Sequence, residues 1–225
     1  NALEGFEILP QSSLDAVLEH VPTARSPLTT RAPWHVLIEV VADRADAESL
    51  RDRCEAMLES AFHETLIDDA VMSANETQAE AFWLIRDSIS PAERARGPAV
   101  QHDISVPVEA MPDFIDMAIA RMQADWPGTH ACAFGHLGDG NVHFHVIAPA
   151  GTDGDAWYST TGKEISAQVH DLVTQWGGSI SAEHGIGQLK RDELARLGDP
   201  VALNLMRQVK HALDPLALFN PGKLL

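Results

Sequence analysis

Apolar positions along the chain follow two alternating rhythms. Trp34 to Val41 (WHVLIEVV) is a β-branched apolar run of strand length. Ala45 to Glu59 follows, with Leu50, Cys54, Met57 and Leu58 at helical spacing. Ile67 to Met72 reads as a second short strand. Glu76 to Ile89 reads as a helix with Ala79, Phe82, Trp83 and Ile89 on its apolar side. Pro91 and the Gly97-Pro98 pair interrupt the pattern. A second cycle then begins. His102 to Val108 (HDISVPV) alternates like a strand, and Met111 to Asp125 is helical. Ala131 to His136 and Asn141 to Ala148 read as paired strands, Tyr158 to Gln175 as a helix and Ser179 to Ser181 as a short strand. Asp192 to Leu213 is helical apart from a break at Gly198–Pro200. Strand, helix, strand thus occurs twice, with a boundary near Gly97. The expected class is α+β, in two related halves spanning 1–97 and 98–225.

Composition narrows the function. Of 225 residues, 16 are Lys or Arg and 33 are Asp or Glu, a net charge of −17. That balance argues against nucleic acid and against an anionic membrane surface, both of which need clustered cations. No run of about 18 apolar residues marks a membrane span, and no basic-then-apolar leader opens the chain. Without such a leader, the sequon Asn75-Glu76-Thr77 reads as chance. The first residue is Asn1 rather than Met, so a processed product or a piece of a longer protein is expected. The two cysteines, Cys54 and Cys132, read as buried thiols in a reducing compartment.

The most informative stretch is Gly135-His136-Leu137-Gly138-Asp139-Gly140-Asn141-Val142-His143-Phe144-His145. Asp139-Gly140 is a two-residue hairpin signal. Such a turn pairs Gly138 with Asn141 and, counting outwards, His136 with His143, their Cβ atoms about 5 Å apart. His145, two residues on, shares the face. Two or three converging imidazoles are metal-ligand geometry; solvent-facing histidines are the plainer alternative. No GxGxxG or Walker A pattern is present, so no phosphate or dinucleotide cradle is read.

A second cluster is Ser179-Ile180-Ser181-Ala182-Glu183-His184-Gly185-Ile186-Gly187. In a strand, Glu183 and His184 diverge; a bend at Gly185 can bring both to one site. Glu183 then offers a carboxylate ligand and His184 a general base; an ordinary turn is the alternative. Arg86, at the edge of an apolar helix face, is either a surface cation or a bidentate carboxylate binder.

Three segments together carry a resemblance: HLGDGNVH (His136–His143), EHGIG (Glu183–Gly187) and DPLALFNPGK (Asp214–Lys223), with WLIR (Trp83–Arg86) and HDISVP (His102–Pro107) in matching order upstream. Over essentially its whole length the chain resembles the C-terminal, substrate-side domain of FAD-linked oxidases of the vanillyl-alcohol-oxidase type. Within them it is nearest to the D-lactate, glycolate-oxidase-subunit and D-2-hydroxyglutarate dehydrogenase branch. The resemblance implies two ferredoxin-like plaits forming a broad antiparallel sheet covered by helices. It implies an FAD-binding domain, absent from this chain, that normally precedes this one and holds most of the FAD.

The resemblance also implies roles. His136, His143 and Glu183 would ligate a divalent metal, zinc first, with manganese or iron as alternatives. His184 would take the substrate hydroxyl proton as hydride leaves C2 for flavin N5, giving the 2-oxo acid. Arg86 and Ser90 would contact the substrate, and Asn220 and Lys223 would lie on the flavin side. Two positions depart from the family pattern: Gln101 stands where its strand usually carries Lys, and His145 where dicarboxylate-using members often carry Asn. His145 is therefore expected to be a substrate contact or a fourth ligand. The implied partners are a small 2-hydroxy acid, the FAD-binding domain and an electron acceptor protein or quinone, with a homodimer allowed. The implied location is a bacterial cytoplasm, with contact to the inner membrane through the acceptor.

Two readings from other classes compete. His143-x-His145 with a distant Glu can build a hydrolytic zinc site, but too few strand–helix units follow for an eightfold barrel. A non-catalytic acidic binding module that kept the fold is the other.

Overall fold

The computed structural model describes residues 2–224; Asn1, on which the expectation of a longer parent rests, lies outside them. The elements run β1 (Leu3–Pro10), α1 (Gln11–His20), β2 (Trp34–Val40), α2 (Ala47–His63), α3 (Glu76–Asp87), α4 (Ile89–Arg96), β3 (Ala99–Ser105), α5 (Met111–Asp125), β4 (His130–His136), β5 (Asn141–Ile147), α6 (Gly154–Ser159), α7 (Thr161–Gln175), α8 (Arg191–Leu197) and α9 (Pro200–Leu213). The fold is α+β. Five antiparallel strands form one sheet in the order β2-β1-β4-β5-β3, with helices against it.

Residues 98–224 supply β3, β4 and β5, and a single bridge from Ser179 to Ser105 extends the sheet beyond β3. Read across, the order is bridge, β3, β5, β4, which is the order of a ferredoxin-like plait. Residues 2–97 supply two adjacent strands. Of these, β1 is joined to the free edge of β4 through Glu7↔His136 and Ile8↔Gly135.

Side chains alternate across the strands, so each face of the sheet has its own core. On one face Ala131, Ala133, Val142, Phe144, Val146 and Ile104 pack against Phe114, Ile115, Ala118 and Met122 of α5 and Ile165, Val169 and Val173 of α7. Each large side chain buried there contributes roughly 1.5–3 kcal/mol before the entropy of ordering it. On the other face Phe134 meets Leu14 and Val17 of α1, Ile85 of α3, and Ile89 and Ala92 of α4. This second core covers only part of its face, and the hairpin end stays open to solvent.

Four local expectations need correction. Ile67–Met72 forms no strand. Asp69 Oδ2 instead accepts the backbone N–H groups of Thr29 (2.9 Å) and Thr30 (3.1 Å), which pins the segment as a loop. These bonds, that from Thr30 foremost, hold the Asp69 carboxyl down at about 2. The helix over Tyr158–Gln175 is two helices, broken at Thr160, whose ψ of −95° is not helical. The strand expected to reach Val108 ends at Ser105, because Pro107 has no N–H for a ladder. Finally, β1 and α1 precede the first expected strand.

His102, on the inner face of β3, is buried with both ring nitrogens engaged. Nδ1–H donates to Phe144 O (2.9 Å) and Nε2 accepts from the Ser166 hydroxyl (2.9 Å). Burial, then the nearby His170, push its pKa down to about 3. The unfolded chain therefore binds a proton between about pH 6.5 and 3 that the folded chain does not. Stability is expected to fall by up to about 1.4 kcal/mol per pH unit from this group as pH drops through that window. In urea unfolding across pH, His102→Gln should be less stable near neutrality, with a slope between about pH 6 and 4 shallower by about one proton. Parallel curves for the two proteins would refute this.

Candidate functional site

The site is built on the outward face of the hairpin. β4 and β5 are joined by four residues, Leu137 to Gly140, and the register pairs Phe134 with His143 and His136 with Asn141. The expected direct opposition of His136 and His143 is thus corrected by a slip of two residues. The longer loop has identifiable causes. The Asp139 side chain accepts the Asn141 N–H (3.0 Å), and the Gly140 carbonyl accepts the Val106 N–H (3.0 Å). Gly140 has φ of +77°, and a Cβ there would meet Val106 O at 2.1 Å, so only glycine fits. A slip of two keeps every side chain on its original face, whereas a slip of one would reverse them all. The two rings remain neighbours, with centroids 5.5 Å apart.

β1 brings a residue the sequence reading did not single out. Its register sets Glu7 opposite His136. Glu7 is 2% exposed; its Oε1 lies 2.7 Å from His136 Nδ1 and its Oε2 2.8 Å from Arg86 Nε. Arg86, also buried, places its guanidinium over the Phe134 ring at 5.1 Å. No protein partner is found for its Nη1 and Nη2 among the described residues.

The third wall is the loop after α7. Asp103, opposite His143 on β3, accepts the backbone N–H of Glu183 (2.9 Å) and of His184 (2.7 Å) on the same Oδ2. Lys190 Nζ donates to Ile180 O (2.9 Å) and Asp103 O (3.3 Å), closing the loop from its far side. Gly185 and Gly187 take positive φ. Burial pushes the Asp103 carboxyl up, but the two N–H bonds and the charges of His184 and Lys190 outweigh it and hold it low. As a result Glu183 and His184 both reach the hairpin. Glu183 Oε1 is 3.6 Å from His136 Nε2, and the His184 ring is 6.3 Å from that of His143.

His136, His143 and Glu183 each offer one ligand atom, all within 4.8 Å of one another. Burial, then the Arg86 guanidinium and the neighbouring His136, push the His143 pKa down to about 4, so its ring is neutral at neutral pH. Two imidazoles and one carboxylate are a donor set for zinc or another borderline divalent ion. Asp103 Oδ1 and both amide atoms of Asn141 are buried beside the cluster without a protein partner. Unmet polar atoms in such a place fit a site that receives a polar ligand.

Other expected residues stand apart from this cluster. His145 is 3% exposed and belongs to a second, closed group: Glu93 accepts from His145 Nδ1 (2.5 Å), Ser13 Oγ (2.6 Å) and Cys132 Sγ (3.2 Å). Burial, then Glu93, push the Cys132 thiol well up, so it stays a protonated donor. Phe134 lies against both His143 and His145, 5.1 Å from each ring centre. Ser90 is half-buried on α4. Asn220 and Lys223 are exposed in the tail after α9, where the Asp214 carboxylate accepts the N–H groups of Leu218 and Phe219.

Comparison with known proteins agrees over the whole chain. The family described as "FAD linked oxidases, C-terminal domain" matches residues 1–224. Mitochondrial D-2-hydroxyglutarate dehydrogenase of Arabidopsis thaliana is 33% identical over 223 residues, covering 99% of this chain and 38% of that protein. The D-2-hydroxyglutarate dehydrogenase of Xanthomonas citri pv. viticola is 34% identical over 222 residues, covering 99% and 46%. That of Stutzerimonas stutzeri is 33% identical over 224 residues, covering 99% and 47%. The chain thus spans between about two fifths and half the length of these curated relatives.

Asp103→Ala removes the shared acceptor of Glu183 and His184. Bonds to a charged group are worth about 1.5–3 kcal/mol. The variant is expected to lose that much stability in urea unfolding and to exchange the Glu183 and His184 amide hydrogens faster. Unchanged amide protection would show that the loop is held by something else.

Proposed function

The chain belongs to the family of FAD-linked oxidase C-terminal domains, and on that premise we propose that it is the substrate- and metal-binding part of an FAD-dependent D-2-hydroxy acid dehydrogenase. The observation that carries this reading is the convergence of His136 from β4, His143 from β5 and Glu183 from the loop after α7 within 4.8 Å. With the family established, the zinc-hydrolase reading is set aside.

His136, His143 and Glu183 would hold a divalent metal, which would supply a Lewis acid for the substrate hydroxyl, and the flavin would supply the hydride acceptor for C2. This chain's own residues do the rest. Arg86 offers Nη1 and Nη2 to the substrate carboxylate, while Glu7 holds its Nε. His184, with a side chain 70% exposed, is free to approach a bound hydroxyl and take its proton. Phe134 walls off the inner side of the site from water. The relatives' names make D-2-hydroxyglutarate the first substrate to test, with D-lactate and glycolate beside it.

The FAD-binding part rests, on this reading, against α9 and the tail. Val201, Leu205, Val209 and Leu213 form a stripe four residues apart along α9, continued by Leu218 and Phe219, and all six are exposed. Asn220 and Lys223 follow that surface directly, on the flavin side. An acceptor protein or a quinone then takes the electrons. On the same reading the enzyme works in a bacterial cytoplasm. No helix among the described residues is long and apolar enough to cross a membrane.

Elemental mass spectrometry of the untagged chain is expected to find about one divalent metal per chain, lost in His143→Ala. A metal-free chain, together with a metal-free longer parent, would refute the ligand set. In the longer protein, anaerobic addition of D-2-hydroxy acids should bleach the flavin where L-isomers do not. Arg86→Lys should raise KM for the 2-hydroxy acid about tenfold or more, since a lysine cannot reproduce the planar fork.

A further inference from the structure

We infer that Glu7 is the positioning residue of the metal site: it sets the tautomer of His136 and ties that ring to Arg86. The inference rests on the metal reading of His136, His143 and Glu183 above. It arises from the register of β1, which no sequence motif marks.

Glu7 sits between the two groups that the proposed chemistry needs. One carboxylate oxygen faces His136 Nδ1 at 2.7 Å and the other faces Arg86 Nε at 2.8 Å. The carboxylate is 2% exposed, so water does not compete for these bonds. An ionised carboxylate only accepts, so a neutral His136 must carry its proton on Nδ1. Nε2 is then the bare lone pair, and Nε2 is the atom that faces Glu183, at 3.6 Å. The ring is thus already in the tautomer and orientation that a metal shared with Glu183 and His143 requires. A ligand histidine free to hold its proton on Nε2 would have to exchange it before binding.

The same carboxylate limits where Arg86 can go. With Nε engaged, the guanidinium is held over the Phe134 ring. The metal-facing ring and the carboxylate-binding fork are therefore placed from one buried anchor. Deleting Glu7 alone would leave Arg86 buried without its counter-charge and endanger the fold. The test therefore compares Arg86→Met with the double variant Glu7→Leu/Arg86→Met, in which both charges leave together. Glu7→Gln/Arg86→Met is the conservative rescue, since glutamine keeps a carbonyl acceptor.

Two readouts apply, after circular dichroism and thermal unfolding confirm each variant is folded. The first needs no metal. Nitrogen-15 spectra of the His136 ring in the apo chain, taken at about pH 8 where a free imidazole is neutral, should show Nδ1–H in wild type and in Arg86→Met. That signature should be lost in Glu7→Leu/Arg86→Met and regained in Glu7→Gln/Arg86→Met. The second is Zn2+ affinity by chelator competition. It should fall about 10–100-fold from Arg86→Met to Glu7→Leu/Arg86→Met and recover in the glutamine double variant. A folded Glu7→Leu/Arg86→Met protein that keeps the Nδ1–H form, or binds Zn2+ within about twofold of Arg86→Met, overturns the inference. If neither the wild-type chain nor the longer parent binds a divalent metal, the metal reading falls and takes this inference with it. Equal binding in all variants overturns the inference alone.

Discussion

Everything on the site face of the sheet depends on the period-two alternation of paired strands. Phe134 and His136 on β4, Asn141 and His143 on β5, Asp103 on β3 and Glu7 on β1 share one face because antiparallel partners point the same way. The residues between them, Ala133, Val142, Phe144 and Ile104, fill the core against α5 and α7. Moving any one polar residue to the inner face would exchange an apolar contact for an unpaired buried group, at a cost of roughly 1–3 kcal/mol. The hydrophobic core therefore fixes the direction of each candidate ligand as firmly as a local bond would.

Charge then organises that face. Three carboxylates are buried on this face of the sheet, each beside a histidine: Glu7 beneath His136, Asp103 beside His184 and Glu93 beneath His145. An ionised carboxylate buried so deeply needs several donors, and each has them. Glu7 has a ring nitrogen and a guanidinium, Asp103 two backbone N–H groups, Glu93 a hydroxyl, a thiol and a ring nitrogen. Two of these sets leave a site-facing group accessible, while the Glu93 set is closed on itself. That difference separates the open site from a buried polar network of similar composition.

The hairpin was legible because Asp139-Gly140 announced a turn and because alternation survives an even slip. His143 faces Phe134 instead of His136, yet remains beside His136 on the same surface. Met111–Asp125 carried its own apolar period and a Pro near its start, and forms α5 over the same residues. Glu7 was not legible: Leu3–Pro10 pairs with β4 across well over a hundred residues, and no local period encodes a partner at that distance. Ile67–Met72 had strand composition, but the donors of Thr29 and Thr30 claimed Asp69. His145 shared the right face, but which neighbour its ring meets depends on α4 bringing Glu93 over the sheet.

The two sides of the site differ in rigidity, and this bears on how it closes. His136 and His143 stand on strands with paired backbones and a packed core behind them. Glu183 and His184 stand on a loop whose anchors are few: Asp103, the Lys190 ammonium and a Ser181–Gly185 bond. Their side chains are 51% and 70% exposed. Local opening costs least where backbone contacts are sparse and solvated. The loop side therefore opens first, and the strand side keeps its geometry while it does. A metal held as proposed would take two ligands, His136 and His143, from the fixed wall and one, Glu183, from the looser one.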